Sequence, residues 1–284
     1  MKTIKRLSIL FFLALLVWTM LSYVGARYAS HPNLVDLPDS NHFFDMEVED
    51  VEIKTEDGVR IAGWYIKGDS DRAVVLANGI RGNRSGLVDR AKLYVEEGFG
   101  VLLIDLRGTG ESDNQPVSYG WYERHDIHAA TDFLRKKDYE NIGAHGVSLG
   151  AAAIAYSLQE QPNYAFIILE SCYGSVKEAL YNRLKMKGVP RFTTVLMQYF
   201  NQQQLGVKSE QLQPTKYMSL AKMPVLIMAG DNERRVKKPE TEAIYAKCGS
   251  TEKQLHYFKG AKHIDLLGFA PEEYRKVWRG FVNQ

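Results

Sequence analysis

Cysteine is nearly missing from this 284-residue chain: only two occur, Cys172 and Cys248. Two are too few for a disulfide scaffold or for a four-cysteine zinc site. Excess charge of one sign is missing too. The 36 Lys and Arg against 34 Asp and Glu leave a net charge of +2, so nucleic-acid binding has no electrostatic footprint. Gly and Pro, at 23 and 9 residues, are too few for a collagen-like or low-complexity chain. A chain that is 45% hydrophobic and 25% charged is not a disordered one either. No metal-ligand cluster and no phosphate-binding loop stands in the sequence, so neither metal nor cofactor is expected.

One local absence carries information. Leu7 to Ala26 are 20 consecutive positions without a charge. As a helix this run is about 30 Å long, the thickness of a bilayer core. Lys2, Lys5 and Arg6 precede it, and Arg27, Asp36 and Asp39 follow. The positive-inside rule then puts the N-terminus in the cytoplasm and the rest outside. The length favours an uncleaved signal anchor over residues 1–26. The alternative is a cleaved signal peptide ending at Val24-Gly25-Ala26. A buried core helix is disfavoured, since no polar face recurs at a 3.6-residue period. Residues 27–45, with Pro32 and Pro38, read as a polar tether.

The remaining residues, 46–284, suit a single large domain. Val48–Thr55 and Val59–Lys67 alternate at period two around Asp57-Gly58, which reads as a hairpin. Short apolar runs then alternate with helical segments. The runs are 73–77, 100–105, 142–147, 165–170, 225–230 and 254–258; the helices are 87–97, 121–137, 149–159, 239–248 and 272–282. The pattern predicts an α/β fold with a mostly parallel sheet covered on both faces. Residues 173–220 break the alternation and read as a small helical lid over the C-terminal edge of the sheet, where such folds bind ligands. Cys172 falls at that edge and Cys248 at the opposite one, too far apart for a disulfide.

Gly146-Val147-Ser148-Leu149-Gly150 has the form G-x-S-x-G between a predicted strand and a predicted helix. That is the setting of a nucleophile elbow. The serine needs a strained turn, and a Cβ at either flanking position would collide with the neighbouring strand or helix. Ser148 is therefore the candidate nucleophile. Its base must come later in the chain, and only His256 and His263 do. His256 lies inside a strand, whereas His263 follows it on a turn at the Ser148 edge, so His263 is the candidate base. The acid should follow the strand ending at Gly230. Asp231 and Glu233 both qualify, and Glu170, at the end of an earlier strand, is a third choice. Glu233, three residues after Gly230, is preferred; the others would then structure loops, with Arg234 or Arg235 as partners. The oxyanion hole falls to the backbone N–H groups of Leu149 and Ile80. Arg81, beside Ile80, either faces the site or is solvated. Glu123 and Asp126 read as a solvated helix face or as loop anchors.

Taken together, Asn78 to Ser85, Asp105 to Ser112, the Ser148 elbow, and Pro224 to Gly230 with His263 resemble the α/β-hydrolase superfamily. Within it the chain looks most like the bacterial serine-aminopeptidase-like hydrolases, many of which carry an N-terminal membrane segment and a modest lid. Asn78-Gly79 stands where His-Gly is usual, and Glu233 where Asp is usual. The resemblance implies an α/β-hydrolase fold over roughly 48–282 and a membrane-anchored serine hydrolase of carboxylic esters. The expected partner is a small-molecule or lipid ester, with the membrane bound through the N-terminal helix. A serine peptidase or amidase, an acyltransferase and a non-catalytic binding protein are the alternatives.

Overall fold

The computed structural model describes residues 2–284. Its strands are β1 (Asn33–Leu34), β2 (Glu49–Lys54), β3 (Arg60–Ile66), β4 (Arg72–Ala77), β5 (Gly100–Ile104), β6 (Thr109–Gly110), β7 (Asn141–Val147), β8 (Ile167–Glu170), β9 (Val225–Gly230) and β10 (Lys253–Phe258). The α-helices are α1 (Lys2–Ala29), α2 (Val88–Glu96), α3 (Arg124–Lys136), α4 (Leu149–Ser157), α5 (Val176–Lys185), α6 (Thr194–Leu205), α7 (Pro214–Tyr217), α8 (Lys238–Lys247), α9 (Leu266–Phe269) and α10 (Pro271–Val282).

Eight strands form one sheet in the order β10-β9-β8-β7-β4-β5-β3-β2. The six from β10 to β5 pair in parallel, and the β2–β3 hairpin closes the edge antiparallel. The central strands Gly100–Ile104 and Val225–Gly230 are buried at every position, because helices cover both faces. On one face α2 and α10 bring Leu93, Tyr94, Trp278 and Phe281 against the sheet. On the other, α3 and α4 bring Ile127, Leu134, Ala152 and Ile154. This is the mostly parallel α/β sheet that the sequence pattern predicted, in the α/β-hydrolase fold that the resemblance implied. From β4 the chain steps to β5 on one side, then crosses back by way of α3 to β7 on the other side of β4. The crevice between the ends of β4 and β7 is the place where such sheets hold ligands. Helices α5, α6 and α7 fill the insertion between β8 and β9.

Helix α1 carries the uncharged run and is long and apolar enough to cross a membrane. The segment expected as a tether, 27–45, is instead folded onto the domain. Helix α1 continues to Ala29, β1 pairs with β6, and Phe43 and Phe44 pack on Trp64 at 5.2 and 6.1 Å between ring centroids. Apolar side chains at Leu37, Phe43 and Phe44 give this stretch something to bury, which a free tether lacks.

Candidate active site

Ser148 sits between β7 and α4 at φ 52°, ψ −96°, a conformation that costs a non-glycine residue on the order of 1–3 kcal/mol. Its neighbours must be small. A Cβ on Gly146 would stand 2.3 Å from the Gly150 carbonyl carbon, and one on Gly150 would stand 2.4 Å from the Ala77 carbonyl oxygen. The turn is pinned by Ser148 N–H donating to Glu170 O at 2.8 Å and Gly150 N–H to Asn78 O at 3.0 Å. Ser148 Oγ is buried and has no hydrogen-bond partner among the described residues.

The loop after β4 lies against this turn: a Cβ on Gly79 would be 3.7 Å from Ser148 Cβ. Asn78, which stands where histidine is usual, locks the loop. Its Oδ1 accepts from Leu106 N–H at 3.0 Å, and its Nδ2 donates to Gly79 O at 3.0 Å and Thr109 Oγ1 at 3.2 Å. Among the described residues, neither Ile80 N–H nor Leu149 N–H donates to a protein acceptor. Two backbone donors beside Ser148 are thereby left for an incoming oxygen.

His263 lies on the loop after β10, and Glu233 on the loop after β9. His263 Nδ1 and Glu233 Oε1 are hydrogen-bonded, and Glu233 also accepts from Val236 N–H at 3.2 Å. Glu233 is buried. Ser148, Glu233 and His263 thus come from the C-terminal ends of three parallel strands, on one edge of the sheet. With Nδ1 engaged, the other imidazole nitrogen is the one left for a serine hydroxyl.

The other carboxylates have different work. Asp231 is exposed and accepts from Gly260 N–H at 2.6 Å, tying the two loops together. It forms no ion pair with Arg234 or Arg235 among the described residues, contrary to expectation, because the backbone donor is nearer at hand. Glu170 lies under the site in a closed polar cluster. Arg90 reaches both of its oxygens at 2.7 Å, His145 Nε2 lies at 2.7 Å, and Tyr274 Oη donates at 2.5 Å. Burial alone would raise its pKa, but the Arg90 charge and hydrogen bonds hold the carboxyl well below its ordinary range. Arg90 also reaches Asp265, two residues past His263, at 2.8 Å.

Arg81 is exposed, and its guanidinium is engaged by Tyr28 rather than by the site. Its backbone is left-handed at φ 60°. Its guanidinium lies 4.2 Å over the Tyr28 ring and donates to Tyr28 Oη at 3.0 Å and Tyr28 O at 3.2 Å. The end of α1 therefore holds the loop that carries Ile80. Glu123 and Asp126 are wholly buried, so the solvated-face reading fails. Glu123 accepts from Ser118 and Gly120 N–H at 2.7 and 2.8 Å, and Asp126 pairs with Arg107 at 2.7 Å. Sequence reasoning missed the arginines Arg84, Arg90 and Arg107, each buried against a carboxylate. Two of them lie inside the quoted motif blocks, which was the available signal. Arg84 pairs with Asp105 and Glu111 and so staples the two blocks together.

Cys172 and Cys248 are free and buried. Glu56, His125 and Glu160 bring metal-ligand atom types within 4.8 Å of one another. Arg124 and His128 already sit on Glu160 at 3.0 and 2.7 Å, which accounts for the cluster as ion pairing.

Comparison with known proteins agrees with the fold. The family model described as the prolyl oligopeptidase family matches residues 87–283. The chain is 24% identical over 248 residues to the Bacillus subtilis protein YqkD, covering 85% of this chain and 81% of that one. It is 24% identical to the Schizosaccharomyces pombe protein bem46, covering 78% and 73%. Among solved structures, a Pyrococcus furiosus esterase superposes with TM-score 0.75 at 23% identity, covering 89% of this chain and 97% of that one. A Pyrococcus horikoshii acylaminoacyl peptidase gives TM-score 0.64 at 18% identity, covering 84% and 41%.

Proposed function

The chain belongs to the prolyl oligopeptidase family, and from that premise we propose that it is a serine hydrolase of carboxylic esters. Ser148 is its nucleophile, His263 its base and Glu233 its acid. The observation that carries this reading is the His263–Glu233 hydrogen bond at the strand edge that holds the strained Ser148 turn.

Ser148 Oγ attacks the ester carbonyl carbon as the free imidazole nitrogen of His263 takes its proton. The carbonyl oxygen becomes an oxyanion and accepts from Leu149 and Ile80 N–H, at the N-terminus of α4. Collapse breaks the carbon–oxygen ester bond, and His263 returns the proton to the departing alcohol. Water then attacks the acyl-serine, His263 takes its proton, and the carboxylic acid leaves with Ser148 restored. Throughout, Glu233 holds the imidazole tautomer and balances its positive charge. Removing one oxyanion donor from such a hole costs about 10²–10³ in rate. Helix α1 is an anchor that crosses the membrane with Lys2, Lys5 and Arg6 on the cytoplasmic side and the catalytic domain on the other.

A p-nitrophenyl ester chain-length series, run on the full chain and on Ser148→Ala, tests the reading. Turnover by the wild type that vanishes in Ser148→Ala is expected; equal rates in the two would refute it. The family description favours amide cleavage as the second reading. Aminoacyl p-nitroanilides separate the two, since the ester reading expects them to be poor substrates beside the esters.

A further inference from the structure

The uncovered part of α1 is too short to cross a bilayer. From Leu7 to Val17 the large apolar side chains all lie open, from 41% exposed at Leu15 to 73% at Phe11. These residues span roughly 16 Å at about 1.5 Å each, against a hydrocarbon core of about 30 Å. Beyond them one face of α1 is covered by the lid. Trp18 meets Phe192 edge-on at 5.9 Å and Tyr23 meets Phe200 at 5.5 Å. Gly25 faces Met197, whose Sδ lies 3.6 Å from the place of a Cβ. Small residues at Ser22, Gly25 and Ala26 admit α6 this closely. The opposite face of the same turns stays bare, with Met20, Leu21 and Val24 each more than half exposed. Placing all 20 uncharged residues in hydrocarbon therefore takes the lid in with them. Phe192 stands level with Trp18, roughly 12 Å along the axis before Ala26.

The lid surface suits that position. Phe192, Val195 and Tyr199 are 64%, 61% and 53% exposed and follow one another at i, i+3 and i+7, the spacing of one helical face. Met186 is exposed between Lys185 and Lys187, whose long stems let the ammonium groups reach back to lipid phosphates. In the same conformation Ser148 is buried at 3% exposure, so the nucleophile is reached only when its cover shifts.

We infer that residues 186–199 of the lid sit in the membrane leaflet on the catalytic domain's side, and that the substrate is an acyl-ester lipid drawn from that leaflet. The seat rests on α1 spanning the membrane, and the substrate rests on the hydrolase reading above. In water the exposed ridge has no occupant; beside a spanning helix, lipid acyl chains are continuous with the surface α1 already offers them.

The experiment uses the full chain in phosphatidylcholine–phosphatidylglycerol vesicles and has two arms. Spin labels are placed at Val195→Cys, Tyr199→Cys and, as an aqueous control, Lys208→Cys. Labels at 195 and 199 are expected to collide with oxygen and to be shielded from a soluble nickel complex, with the reverse at 208. Nickel access at both 195 and 199 overturns the seat. In the second arm, Val195→Ser/Tyr199→Ser is expected to lower turnover of vesicle phospholipid at least about tenfold while leaving p-nitrophenyl butyrate turnover unchanged. Unchanged phospholipid turnover overturns the substrate assignment, and so does an equal loss on both substrates. A wild type inert on both substrates overturns the hydrolase reading itself, and the labels still decide the seat.

Discussion

Three carboxylates lie near the ends of the strands that carry the site, and their surroundings separate them. Glu233 is buried on the imidazole of His263, Asp231 is exposed on a backbone amide, and Glu170 is locked to Arg90. Glu233→Gln is therefore expected to lower kcat by about 10⁴ through the wrong tautomer, with Asp231→Asn near the wild-type rate; steady-state kinetics on one soluble ester checks both. Glu170 belongs to stability. Glu170→Gln leaves buried Arg90 with only the half-exposed Asp265 as a charge partner, at a cost of about 3 kcal/mol. Because the folded carboxyl is held below its ordinary range, its contribution is whole above the unfolded pKa of about 4.3 and drains as pH falls through the folded value. Thermal unfolding in mild detergent should show a wide gap between wild type and Glu170→Gln near neutral pH and a narrowing one below about pH 4. The placement of Ser148, His263 and Glu233 at one sheet edge was legible because a glycine-bracketed turn and strand ends leave local marks in the sequence. The role of Glu170 was not, since Arg90, His145 and Tyr274 reach it from separate elements and no local pattern reports such a meeting.

At the scale of elements, the alternation of apolar runs and helical segments places the sheet and the elbow, and the boundaries agree to within a few residues. The stretch after α1 was harder to read. β1 has two residues, too few for a period, and its partner Thr109–Gly110 lies far along the chain. The contact between Arg81 and Tyr28 was hidden for the same reason, and it makes the end of α1 a brace for the loop that carries Ile80. Arg81→Ala should lower kcat about tenfold with KM little changed, the mark of a group that acts on the transition state alone. Arg81→Lys should recover only part of the loss, since an ammonium cannot both stack on Tyr28 and make two directed hydrogen bonds. A fall in KM-dependent binding with kcat intact would remove this brace from the account.

Over the whole molecule, one sheet edge gathers the turn after β7, the loop after β4 and the loops after β9 and β10, and the lid lies in the chain between β8 and β9. The same insertion packs against α1, so the long apolar helix and the segment between β8 and β9 are in contact. The central claim is that Ser148 is an activated nucleophile in this assembly. Intact-mass measurement of the full chain after treatment with a fluorophosphonate, followed by peptide mapping, tests it most directly. The account predicts one adduct, on the peptide containing Ser148, and none in Ser148→Ala or after heat unfolding. No adduct on the wild type, or undiminished labelling of Ser148→Ala, would contradict it.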